Sequence, residues 1–172
     1  MVELRKPALY TTTSGAERPD LARLIGGECL RCGFVFFPFQ RLGCEVCGAH
    51  DEELSTAILS GRGTLVSCTT VHHHSTQTGL IATSPMPTPF AVATVQLDEG
   101  PSVRALLSFG DESTLRPGEP LQAVLAEVPP AVAASTGELD VRFEPLRQVG
   151  ITPNHVGADT DTNEAPPSWY NL

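Results

Sequence analysis

Lysine is nearly absent from this chain: Lys6 stands alone among eleven basic residues, against twenty acids, for a formal net charge of -9 over 172 residues. A surface of that sign repels polyanions. The arginines are scattered rather than clustered, so the phosphate neutralisation behind most nucleic-acid affinity has no footprint here. Apolar runs are short as well. None approaches the ~20 residues that span a bilayer, and the start, MVELRKPALYTTTSGAERPD, has no apolar segment of signal-peptide length. A cytoplasmic chain is the expectation. Glutathione keeps thiols reduced there, so disulfides are a poor explanation for the five cysteines.

What is present is concentrated in CLRCGFVFFPFQRLGCEVC, residues 29 to 47. Cys29, Cys32, Cys44 and Cys47 form two Cys-x-x-Cys pairs separated by eleven residues, each pair followed by glycine, Gly33 and Gly48. Two thiolates at that spacing grip one side of a tetrahedral ion, and two such knuckles complete the shell. Glycine after each pair lets the backbone turn with positive φ and brings main-chain N–H groups toward the sulfurs. A redox Cys-x-x-Cys needs a single pair beside a βαβ unit, which two pairs on a short hairpin do not supply. Zinc is the expected ion, one per chain, with iron as the alternative four cysteinates also suit. Four sulfurs leave no open position for water or substrate, so the metal is structural. In small metal-folded modules the ion supplies about 10 to 16 kcal/mol of apparent folding free energy. The intervening FVFFPFQRL reads as two short strands turning back so that the knuckles meet, a zinc ribbon.

Beyond residue 60 the pattern changes. GTLVSCTTVHH, PFAVATVQLDEG, SVRALLSF, PLQAVLAEV and ELDVRFEP are β-branched and aliphatic stretches between Gly, Pro and Asp turns, which gives five strands. In the last, Leu139, Val141 and Phe143 share one face, while Asp140, Arg142 and Glu144 share the other, read as wet. Five strands without heptads or helix-length 3.6-residue periods suit a small barrel of the oligonucleotide/oligosaccharide-binding (OB) type. GDESTLRPGEP, with Pro117 and Gly118, is too short for the helix that often plugs such a barrel.

This order of parts, carried by the two knuckles, FFP, GRGTLVSCTTV, PFAVATVQLDEG and LRPGEPL, resembles a family over about residues 20 to 146. That family joins a rubredoxin-like zinc ribbon to a five-stranded barrel in acyl-CoA-associated accessory subunits of thiolase-like enzymes. Its members include subunits of archaeal acetoacetyl-CoA thiolases, steroid side-chain aldolases and aromatic-pathway enzymes such as benzoylsuccinyl-CoA thiolase. Where the family often has Pro-Pro-Arg, this chain has Pro38-Phe39-Gln40-Arg41. The resemblance implies a non-catalytic helper that assembles with a thiolase-fold catalytic subunit, with a coenzyme A thioester as shared ligand. Thiolase chemistry needs a nucleophilic cysteine with a histidine base. The one cysteine left over, Cys68, sits in an apolar strand and reads as a small buried hydrophobe.

The segment from Phe34 to Phe39 beside Arg41, and Arg62 at the barrel entrance, offer apolar surface and cations for acyl-CoA. His72, His73 and His74 lead into a polar stretch and read as a solvent-facing strand end. The expected division is an extended N-terminal lead over 1–19, the ribbon over 20–58, the barrel over 59–147 and a tail over 148–172. Trp169 and Tyr170 in that tail have the character of partner-docking anchors. A nucleic-acid-binding ribbon-plus-barrel module is the alternative function. It would need a basic groove with stacking aromatics, and the barrel strands offer only Phe90, Phe109 and Phe143.

Overall fold

The computed structural model describes residues 3–12, 20–73, 88–108, 115–130, 133–135 and 137–146. Apolar alternation decides its main sheet. In the strand Phe90–Leu97, Ala91, Ala93, Val95 and Leu97 are buried while Gln96 is exposed, as one inward face requires. The elements in chain order are β1 (Glu3–Leu4), β2 (Tyr10–Thr12), β3 (Ala22–Cys29), β4 (Val35–Phe36), β5 (Leu54–Leu59), β6 (Arg62–Val71), β7 (Phe90–Leu97), β8 (Ser102–Leu106), β9 (Pro120–Glu127) and β10 (Glu138–Pro145). A single 3₁₀ turn at Asp51–Glu53 is the helical element among the described residues, and no helix there is long and apolar enough to cross a membrane.

β6 to β10 are the five strands expected from the β-branched and aliphatic stretches between turns. β6 pairs antiparallel with β7 along its length and with β9 through Arg62–Thr64. A bulge between Leu65 and Ser67 leaves Val66 unmatched and bends the strand, so one strand serves both neighbours. β8 pairs with β7, and β9 with β10. A parallel bridge from Leu107 to Phe143, with Ser108 N donating to Phe143 O at 3.0 Å, links β8 back to β10. That circuit is the OB arrangement. The connection expected to lack a plug helix lies in part, at 109–114, outside the described residues.

A second sheet centres on β3, which pairs with β5 on one side and with β2 and then β4 on the other. The expected pair of strands within residues 34 to 42 is therefore corrected. Only Val35–Phe36 is a strand, and its partner is β3, upstream of the first knuckle. The double glycine Gly26-Gly27 makes this possible: a Cβ on Gly27 would lie 2.3 Å from the Phe36 ring, and one on Gly26 2.6 Å from Phe36 O.

The sheets share one core. Tyr10, Ala22, Leu24 and Leu59 from the second sheet pack with Leu65, Val95, Leu121 and Phe143 from the barrel. A smaller core of Cys29, Cys44, Ala49 and Leu54 lies beyond it, edged by Phe34 and Phe36. The face of β10 read as wet is also corrected: Asp140 and Arg142 are each 2% exposed. The N-terminal lead covers them, β1 lying parallel to β10 and Tyr10 donating its hydroxyl to Asp140 Oδ1 at 2.7 Å. Arg142 completes the network at 3.2 Å from Asp140 Oδ2.

Gly61 turns the chain from β5 into β6 with φ 72°, and a Cβ there would meet Ala22 O at 2.6 Å and the Ala123 Cβ at 2.9 Å. Left-handed backbone costs an L residue about 1 to 2 kcal/mol and overpacking about 1 to 3 more. Gly61→Ala is expected to lower stability by roughly 2 to 5 kcal/mol on those figures, read as a fall in the urea midpoint at unchanged slope. An unaltered midpoint would show that the joint is soft.

Candidate metal centre and adjoining cleft

Each knuckle is built by the same two backbone hydrogen bonds. Gly33 N donates to Cys29 O at 2.7 Å and Gly48 N to Cys44 O at 2.9 Å, closing turns in which both glycines take φ 73°. Nothing lies within 4 Å of a Cβ built on either, so conformation rather than space selects glycine. Cys29 N to Phe34 O at 2.9 Å and Cys44 N to Ala49 O at 2.7 Å fasten the far ends.

These turns bring the four sulfurs within 4.8 Å of one another. Cys29 and Cys47 are 3.6 Å apart at Sγ, as are Cys32 and Cys44. A disulfide needs about 2.05 Å. A tetrahedron of 2.3 Å metal–sulfur bonds has edges of about 3.8 Å, so the spacing and the donor set fit a divalent metal. The sulfurs' acidities diverge. Burial opposes ionisation of Cys44, yet the N–H groups of Cys47 and Val46 and the neighbouring thiols bring its pKa down to about 7. The Phe34 N–H favours the Cys32 thiolate, but desolvation and the three other sulfurs win and push it up to about 12. Cys47 is raised as well, against the Ala49 N–H that favours its thiolate, with desolvation foremost among the opposing causes. One anionic sulfur suppresses the next, and a cation at the centre removes that conflict.

Beside the cluster runs a cleft of about 640 Å³, walled by Gly33–Pro38 on one side and by Glu99–Ser102, the turn between β7 and β8, on the other. Phe34 stacks on Phe36 and Phe36 on Phe39, both at 6.4 Å between centroids. The opposite wall is pinned to the joint between the sheets, because Ser60 N donates to Glu99 Oε1 at 2.6 Å. Glu99 Oε2 is buried without a hydrogen-bond partner.

The structure therefore brings Cys29, Cys32, Cys44 and Cys47 together, and keeps the two expected acyl-CoA arginines out of the cleft. Arg41 is exposed with its guanidinium 5.9 Å from the Phe39 ring centre. Arg62 is exposed and faces Asp98 at 3.9 Å. Cys68 is half-buried against the shared core. His72 and His73 are exposed, whereas His74, Phe109, Trp169 and Tyr170 lie outside the described residues. Phe90 and Phe143 are buried in the barrel and form no stacking platform. Sequence reasoning missed Glu99 because an acid in a Gly-Pro turn looks like ordinary punctuation.

Residues 58–126 match the family model described as ChsH2, C-terminal OB-fold domain. A DUF35 domain-containing scaffold protein of Methanothermobacter thermautotrophicus is 30% identical over 110 residues, 64% of this chain and 77% of the relative. One of Pyrococcus furiosus is 33% identical over 107 residues, 62% of this chain and 71% of the relative. Among solved structures, the Ltp2-ChsH2(DUF35) aldolase superposes with a TM-score of 0.53 at 24% identity, covering 72% of this chain and 84% of that chain, a likeness of fold.

Proposed function

We propose, since this chain belongs to the DUF35 family, that it is a non-catalytic scaffold subunit that assembles with a thiolase-fold enzyme acting on acyl-CoA thioesters by carbon–carbon bond cleavage or formation. The family relation to two proteins named as scaffolds carries the reading. The ribbon over 20–58 and the barrel over 59–147 act as one unit through their common core. Zinc held by Cys29, Cys32, Cys44 and Cys47 keeps the outer lobe folded. Around it, Leu30 is 65% exposed, Leu42 94% and Val46 63%, each within two residues of a cluster cysteine. Apolar side chains displayed in that way suit a subunit contact.

In this reading Arg41 and Arg62 meet the phosphates of a coenzyme A thioester whose pocket is completed by the partner. As lone cations on a chain of net charge -9 they hold it weakly without the partner's help. Calorimetry on the isolated chain is expected to give millimolar or weaker acyl-CoA binding. The reconstituted complex should bind tightly, and Arg41→Ala with Arg62→Ala should weaken it about tenfold without dissolving it, as for lost charge-assisted contacts. Tight binding by the isolated chain, or an unchanged complex, overturns the shared pocket.

A further inference from the structure

Two sheet edges reach the cleft, that of β8 at Ser102 and that of β4 at Val35. In the ladder between β7 and β8, Leu97 N donates to Pro101 O at 2.9 Å and Leu107 N to Ala91 O at 3.0 Å. Antiparallel pairs alternate between hydrogen-bonded and open, so Ser102, Arg104 and Leu106 point their main-chain N–H and C=O groups away from β7. Among the described residues no strand pairs with that edge before the bridge at Leu107. Across the cleft, Cys29 N donates to Phe34 O and Gly27 faces Phe36. By the same alternation Val35 turns its N–H and C=O away from β3.

Unpaired edges of this kind are templates for another strand. Charge selects its chemistry. Glu45 and Glu99 are the charged residues lining the cleft, Glu99 Oε2 is buried with no hydrogen-bond partner, and Phe34, Val35, Phe36 and Phe37 form an apolar wall beside the polar Gln40 and Ser102. Carboxylates in such a place repel the phosphates of coenzyme A and attract a lysine or arginine.

We infer that the cleft receives an extended segment of the partner polypeptide, added as a strand on the outer edge of β8, its basic side chain meeting Glu99 and its apolar side chains lying against Phe34–Phe37. The inference rests on the scaffold reading and names the partner's point of entry. It also assigns cleft and arginines to different ligands: the polypeptide in the cleft, the nucleotide outside it.

The test uses the full chain, ¹⁵N-labelled, titrated with four probes: a hexapeptide of alternating Lys and Val, the same peptide N-methylated at alternate residues, an alternating Glu and Val hexapeptide, and coenzyme A. The Lys-Val peptide is expected to shift the amides of Val35, Ser102 and Arg104 saturably. The N-methylated and acidic peptides should bind at least tenfold more weakly, since one loses the ladder and the other the charge match. Glu99→Gln keeps an acceptor for Ser60 and is expected to weaken the Lys-Val peptide about tenfold. Ser102→Pro removes the outward donor at the first residue of β8, where proline is tolerated, and should weaken it similarly. Absence of shifts at those amides, equal binding of basic and acidic peptides, or the same shifts from coenzyme A overturns the inference. Because the isolated chain is titrated, such a failure leaves the scaffold reading to be judged by complex formation alone.

Discussion

Cys32→Ser is expected to lose the metal and to melt the outer lobe while the shared core stands. The lobe has little else. Its core is Cys29, Cys44, Ala49 and Leu54, edged by Phe34, Phe36 and Cys47, so three of its seven members are themselves candidate ligands. Such modules draw most of their folding free energy from the ion. Leu24 and Leu59, in contrast, belong to the core of the barrel, so the inner halves of β3 and β5 should persist. Hydrogen exchange is the direct probe: residues 30 to 53 should lose protection in the variant while β7 keeps it. Chelation of the unmodified protein should give the same map, and elemental analysis should fall from one zinc per chain to none. Protein prepared without chelator that holds no metal, or a variant as well protected as the parent, would sink the structural role.

The second large effect is expected at Asp140. Asp140→Ala leaves the Arg142 charge buried without its carboxylate, and breaking a buried pair from one side costs about 3 to 5 kcal/mol. Asp140→Ala together with Arg142→Met should recover much of that, since both charges are then gone. The same pair predicts acid sensitivity. Burial pushes the Asp140 carboxyl up, but the Tyr10 hydroxyl and the Arg142 charge outweigh it and hold the pKa below the ordinary value. A carboxylate lowered on folding stabilises the native state above its unfolded pKa of about 3.9, and that contribution is lost as pH falls through the lower folded value. Urea midpoints should therefore drop below about pH 4 in the parent, and less steeply in Asp140→Asn. A change under about 1 kcal/mol for Asp140→Ala would show that the network is relaxed by water.

The knuckles were legible because two independent signals coincide in them: cysteine spacing sets the ligand geometry, and glycine at each end sets the turn. The barrel strands were legible because β-branched and aliphatic stretches bounded by Gly, Pro and Asp turns mark each of them, with side-chain alternation plain in the sequence of β8 and β10. β1 and β2 were not, since two and three residues are too few to show a period. Alternation also says which side chains share a face and not what covers that face. Asp140 and Arg142 therefore read as solvent-facing until Tyr10, 130 residues away from Asp140, is placed on them. Gly26 and Gly27 leave a gap in the side chains of β3. They are the seat for Phe36, a role that depends on a ring contributed from nine residues further on. The cleft is likewise made by segments far apart in sequence, residues 33–45 and 99–102, and no local pattern records their meeting.

Scaffolding is the claim on which the rest depends, and native mass spectrometry of the tagged chain captured from its source organism measures it most directly. The account predicts a hetero-oligomer that holds this chain with one zinc per copy and a thiolase-fold subunit, with acyl-CoA turnover present in the complex and absent from the chain alone. A chain that emerges by itself, or that turns over an acyl-CoA without a partner, would contradict it.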